Sequence, residues 1–195
     1  MLRELIPKIC IIRNAPDFEN NILFAQTIGH IVKCVGVKEF LEIYPLSIES
    51  GNDVMIPNGW MLPILRDNIE KSDLSFYVDT LVPLTAALKI KSETHKSSGN
   101  TLDSRVCFNL EYQIWNLLPS FCKHPTDLMT SFKKIAKTLG TLLTQRLEIR
   151  NIICTSLTTL VKTSKLNDEH KAEIARFVFL KGSTAAHISV PSNRN

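Results

Sequence analysis

The sequence predicts an all-α fold built from paired, stacked helices. Three observations carry this. Apolar residues recur at helical spacing along most of the chain, no segment alternates with the two-residue period of a half-buried strand, and the helical patterns are divided by turn residues at short intervals. The organising stretch is Tyr112–Val161. Within it Phe132, Ile135, Ala136, Leu139, Leu142 and Leu143 fall at i, i+3, i+4, i+7, i+10 and i+11, one apolar stripe on a helix. Ile149, Ile153, Leu157, Leu160 and Val161 make a second stripe. Pro125 disfavours helix at His124, so a new helix starts after the turn, with Thr126 or Asp127 as its cap.

Taken in order, residues 2–13 form a short apolar-rich helix. Pro16, Asp17 and Glu19 open the next, since proline suits a first turn and acidic groups suit the helix dipole there. Phe24, Ile28, Ile31 and Val35 share one face of it, while Ile22, Ala25 and Val32 share another, so this helix is expected to have neighbours on two sides, with His30 packed in the core. Gly36 ends it, and Val37–Tyr44 forms a short second helix before Pro45. Ser47–Gly59 is rich in Gly, Asn and Pro and reads as an exposed loop. Trp60–Ile69 is helical despite Pro63, because the first amides of a helix have no intrahelical partner. Ser72 or Asp73 caps a helix lined by Leu74, Val78, Leu81, Thr85 and Leu88, which Pro83 should kink. Ser92–Thr101 is polar and reads as a second loop. Asp103–Phe121 is one helix with Val106, Leu110, Ile114, Leu117 and Leu118 inward. After the two central helices, Asn167 or Asp168 caps a last one carrying Ile174, Ala175, Val178 and Phe179. Residues 1–181 are thus one helical segment, and the polar run 182–195 is expected to be a disordered tail. The helices pair at a period of about forty residues, that of HEAT-type arrays. No strict sequence repeat accompanies it, so periodicity alone leaves a solenoid and an irregular bundle both open.

Hydrophobic residues make up 44% of the chain, enough for a core. The apolar runs are short for a membrane span, and the charged N-terminal stretch has no small-residue cleavage pattern, which excludes a signal peptide reading. Cys10, Cys34, Cys107, Cys122 and Cys154 are odd in number and show no C-x-x-C spacing, which points to a reducing compartment. Cys122 and His124 are too closely spaced for a zinc site without a second ligand pair, and packing of the turn is the better reading. Phosphate-cradling, dinucleotide-binding and nucleophile-elbow glycine motifs are absent, and the histidines are scattered, so no cofactor, metal, small-molecule substrate or catalytic activity is expected. The net charge of +4 is uneven: residues 1–100 carry −2 and residues 101–195 carry +6, which marks the second half as the face for nucleic acid or an acidic partner. Lys133, Lys134 and Lys137 lie off the apolar stripe, and Arg146 and Arg150 open the following helix at i, i+4 spacing. These five are the candidate phosphate contacts, on charge alone.

The block IWNLLPSFCKHPTDLMTSFKKIAKTLG, residues 114–140, resembles the ribosomal RNA-processing protein twelve family, as does NGWMLPILRDNIEKSDLSFYVDTLVPLTAAL, residues 58–88, in the same order. The resemblance runs from about Asn20 to Lys181. It implies a HEAT or armadillo-like solenoid, a right-handed superhelix of stacked helix pairs, of which this chain is a fragment. It further implies a non-catalytic scaffold in ribosome biogenesis, acting on the small-subunit RNA precursor and on export of pre-ribosomal particles, in the nucleus and nucleolus. Partners would be pre-ribosomal RNA, assembly factors and nuclear transport machinery, with no membrane. The alternative is a HEAT-repeat adaptor, similar to a nuclear transport receptor, that binds protein without RNA.

Overall fold

A computed structural model describes residues 2–13, 15, 18–46, 58–163, 171–172, 174 and 176. The described elements are helices: α1 (Leu2–Ile12), α2 (Asn21–Val35), α3 (Val37–Ile43), α4 (Met61–Asn68), α5 (Leu74–Phe76), α6 (Val82–Ser97), α7 (Thr101–Trp115), α8 (Leu118–Phe121), α9 (Leu128–Gln145) and α10 (Arg150–Thr163). A π-helical segment, Tyr77–Leu81, joins α5 to α6, and a 3-10 turn, Leu147–Ile149, leads into α10. Most of the expected loop at Ser47–Gly59, the cap at Asn167 or Asp168, and the tail 182–195 lie outside the described residues.

The helices stack along the chain. α1 packs on α3, α2 on α4, α4 on α7 and α8, α5 on α9, and α10 on both α8 and α9, while α6 and α7 form a tight hairpin. One core runs through all of them. Gly36 turns the chain between α2 and α3 with φ of 85°, a conformation only glycine adopts without strain. Gly29 allows the close α2–α4 contact, since a Cβ there would stand 2.7 Å from the Asn68 side chain.

The apolar stripe of α9 faces inward as expected: Ile135, Ala136, Leu139 and Leu143 are buried. So are Ile149, Ile153, Leu157 and Leu160 of the following stripe. At the centre Tyr77 is fully buried, donates its hydroxyl to the Ile114 carbonyl at 3.2 Å, and packs against Phe121 with ring centroids 5.1 Å apart.

Several boundaries differ from the sequence reading. Ser92–Ser97 is helix, the end of α6, and only the turn at Ser98–Asn100 separates it from α7. The hydroxyls that read as loop-forming bond within the helix hairpin instead. Thr94 and Ser97 donate to the carbonyls of Ile90 and Glu93 at 2.9 Å, and Ser92 donates to the Ser104 carbonyl on α7 at 2.9 Å. The expected helix Asp103–Phe121 ends at Trp115, four residues before Pro119. The ring of Pro119 would meet the Trp115 carbonyl if one helix continued, and its missing N–H could not reach it. Before Pro83 the chain widens into the π-helical segment, and the Val82 N–H reaches back to the Tyr77 carbonyl. His30 is exposed on the outer face of α2, with Nδ1 2.7 Å from the Gln26 carbonyl, and Ile22 on the same helix is exposed as well. The buried side of α2 cuts across the two expected faces: Phe24 and Ile28 come from one and Val32 from the other, while Ile31, Val35 and Ala25 are half-buried.

Candidate functional site

The candidate basic face is built on α9 and the turn into α10. Because the stripe around Leu139 is buried, residues on the opposite side of α9 project outward. Lys134 and Lys137 are exposed there. Lys134 forms an ion pair with Asp79 of the π-helical segment, both side chains more than half exposed. Lys133 lies on α9, but its side chain is outside the described residues.

The two arginines are placed differently. Arg146 has an extended backbone, with φ of −126° and ψ of 92°, and precedes the 3-10 turn rather than opening a helix. Only Arg150 begins α10, so the two do not share a helical face at i, i+4. The Arg146 side chain is 11% exposed and grips Glu111, itself 3% exposed, with Nη1 at 2.9 Å and Nη2 at 3.2 Å from its two oxygens. Its Nε donates to Glu148. Glu111 also accepts from Trp115 Nε1 at 3.3 Å. Burial opposes the charge on Arg146, yet the hydrogen bonds it donates to Glu111 and Glu148 hold its guanidinium above the ordinary range. Burial likewise raises the Glu148 carboxyl, but its backbone hydrogen bond and Arg146 bring it below the usual value. Arg150 is half-buried, and its Nε donates to the Leu143 carbonyl at 2.7 Å, satisfying one of the last carbonyls of α9. The structure therefore separates the five candidates. Lys134 and Lys137 stand on the open face of α9, while the arginines tie α7, α9 and α10 together.

Sequence reasoning missed Glu111. It sits between Leu110 and Ile114 in an inward pattern, where a carboxylate reads as solvated; Trp115, one turn on, was the available signal, and Arg146 lies 35 residues away. Elsewhere among the described residues the buried thiols offer little reactive chemistry. Cys122 is fully buried at the turn, and burial pushes its thiol far above the ordinary value despite a hydrogen bond from Ser156. Burial raises Cys10 to about 11. A neutral thiol of this kind is a poor nucleophile. His124 is exposed, and among the described residues no three His, Cys, Asp or Glu side chains group as a metal site. No helix among the described residues is long and apolar enough to cross a membrane.

Helix pairs stacked in sequence, with an outward lysine face and an inward ion-pair clasp, define a segment of an α-solenoid. The chain belongs to the family described as ribosomal RNA-processing protein 12, HEAT repeats, whose sequence model matches residues 1–190. It is 33% identical over 178 residues to an RRP12-like protein of Gallus gallus, covering 91% of this chain and 14% of that protein. It is 34% identical over 170 residues to a putative ribosomal RNA-processing protein 12 of Schizosaccharomyces pombe, covering 85% of this chain and 14% of the relative. With ribosomal RNA-processing protein 12 of Saccharomyces cerevisiae it shares 29% identity, over 76% of this chain and 12% of the relative. The chain thus spans only 12–14% of the length of these relatives.

Proposed function

We propose that the chain is a non-catalytic scaffold segment in ribosome biogenesis, supporting maturation of the small-subunit ribosomal RNA precursor and export of pre-ribosomal particles. The observation that carries this reading is the family match across residues 1–190, with relatives in two yeasts named for ribosomal RNA processing. Its place of action would be the nucleus and nucleolus, and its partners pre-ribosomal RNA, assembly factors and the nuclear transport machinery. An extended stack of helices supplies surface rather than a pocket, so recognition is by contact along that surface. Lys134 and Lys137, with Lys133, contact phosphates and position the RNA without reading bases. Arg146 and Arg150 contribute by fixing the angle between α9 and α10, the clasp that sets the face.

A protein-only adaptor is the second reading. It is favoured by the engagement of both arginines inside the fold and by Ile11, Ile12, Ile22 and Leu23, which are each more than half exposed on α1 and α2. Crosslinking of the tagged chain to RNA in cells, with mapping of the bound transcripts, separates the two. Reads concentrated in the small-subunit precursor are expected. Crosslinks to protein alone would overturn the scaffold reading in favour of the adaptor.

A further inference from the structure

The outer face of α7 carries a pattern that the family reading does not use. Arg105, Phe108, Asn109 and Tyr112 fall at i, i+3, i+4 and i+7, so they share one face. All four are exposed, Phe108 at 41% and Tyr112 at 39%. Two aromatic rings one helical turn apart, both open to solvent, are unusual in a chain with few aromatics, because such rings are normally spent on the core. Beside them lies an open cleft of about 570 Å³ between the end of α6 and the start of α7. Its lining holds Lys96 and Arg105, the Phe108 ring, the Asn109 amide and three hydroxyl side chains, and no carboxylate. Neither cation has an ion-pair partner among the described residues. The nearby acids are turned elsewhere: Glu93 lies 3.9 Å from Lys89, and Asp103 is bonded by the Asn100 amide and lies 3.9 Å from His95.

We propose that this cleft and the adjoining α7 face form a binding site for single-stranded RNA, with bases stacked on Phe108 and Tyr112 and phosphates held by Lys96 and Arg105. The proposal rests on the RNA-binding reading above but places a second, base-contacting site on a different helix from the lysines of α9. Cations without competing carboxylates attract a phosphate backbone. Exposed rings offer platforms to unstacked bases, which a duplex keeps inside its own stack. The Asn109 amide can donate to and accept from a base edge. An acidic peptide would satisfy Lys96 and Arg105 but would leave the paired rings without a role.

The test uses the whole chain and a labelled twelve-nucleotide single-stranded RNA of mixed sequence, with the matching duplex as comparison. Expected results are tighter binding to the single strand, a loss of roughly tenfold for Phe108→Ala and again for Tyr112→Ala, and near wild-type affinity for Phe108→Trp, which keeps a ring. Lys96→Gln with Arg105→Gln should lower the salt slope by about 0.7 for each phosphate no longer neutralised. Circular dichroism melts show whether each variant is folded. Folded alanine variants that bind as wild type, while a Lys133, Lys134 and Lys137 to Gln variant binds weakly, would overturn the site and leave the RNA reading standing. Phe108→Trp as weak as Phe108→Ala, or duplex bound as well as single strand, would also overturn the site. A wild-type chain that binds no single strand would overturn both.

Discussion

The carboxylate of Asp127 caps a helix that begins 53 residues earlier. Its oxygens accept the Leu74 N–H at 2.6 Å and the Ser75 N–H at 2.9 Å, and the Ser131 hydroxyl donates to it at 2.6 Å. Asp127 stands at the N-cap position of α9 yet makes no side-chain cap there. In return, Thr126 donates its N–H to the Ser72 carbonyl at 3.1 Å and its hydroxyl to Asp73. The two helix starts are thereby locked side by side. Leu128 and Leu74 are buried beneath the lock.

Asp127→Ala should therefore cost about 2 kcal/mol, the upper part of the range for losing a cap, because it frees two backbone donors of a neighbouring helix. Asp127→Asn should cost less, since an amide oxygen still accepts. Urea unfolding monitored by circular dichroism reads both. A loss for Asp127→Ala within about 0.5 kcal/mol, as at an ordinary surface site, would show that the lock contributes nothing.

The same group gives a pH dependence. Burial raises the Asp127 carboxyl, but the hydroxyls of Ser131 and Ser75 and the N–H groups of Ser75 and Leu74 outweigh it and bring it below its ordinary value. A depressed carboxylate contributes stability that is present above the unfolded value, about 3.9, and is lost as pH falls through the lower folded value. Wild-type stability should thus fall more steeply below about pH 4 than that of Asp127→Asn, which has no proton to gain. Parallel acid titrations of the two proteins would refute this.

The helices were legible in the sequence where one apolar face meets one core. Leu139 and Leu143 on α9, and Ile153 and Leu157 on α10, lie where their spacing puts them. Capping across the chain was not legible, because Asp127 and Asp73 both looked like local caps and only their apposition decides which N–H groups are served. Ser92–Ser97 misled for a related reason: hydroxyls that favour turns in isolation bond helix carbonyls once α7 packs alongside. The basic face was half legible. Charge located the lysines, but whether Arg146 points to solvent depends on Glu111, and no local pattern links them.

Leu139 is 1% exposed in the middle of the α9 stripe. Leu139→Ala should destabilise the fold by roughly 2–5 kcal/mol, the transfer and cavity cost of a core leucine. Thermal unfolding of the variant measures this directly, and a loss under about 0.5 kcal/mol would show a solvent-facing stripe.

The Glu111–Arg146 clasp makes a sharper distinction. Arg146→Ala leaves a buried carboxylate unpaired and should cost roughly 3–5 kcal/mol. Replacing both partners, Glu111→Gln with Arg146→Met, removes both charges and keeps an acceptor for Trp115, so most of that loss should return. If the double variant is no more stable than Arg146→Ala, the cost lies in the arginine's packing and not in the stranded charge. Either result separates a structural arginine from an RNA contact, because stability moves before binding does.

Of the five basic residues that the sequence marked for phosphate contact, the lysines of α9 remain, and Asp79 gives them a test that runs in the opposite direction to ordinary damage. Lys134 is exposed, and its ammonium group is partly neutralised by Asp79. An exposed pair of this kind is worth at most about 1 kcal/mol, so breaking it should leave the fold intact. Asp79→Asn frees Lys134 and removes a negative charge that repels phosphate. If Lys134 touches RNA, Asp79→Asn should tighten binding at low salt and steepen the salt dependence. Lys133→Gln, Lys134→Gln and Lys137→Gln together should weaken binding across sequences and flatten the slope by up to about 0.7–0.9 for each phosphate left without its lysine. A variant that gains affinity cannot be dismissed as misfolded. Should Asp79→Asn and the triple lysine variant both bind with unchanged affinity and salt slope, the α9 face only solvates its helix, and RNA must bind elsewhere on the chain.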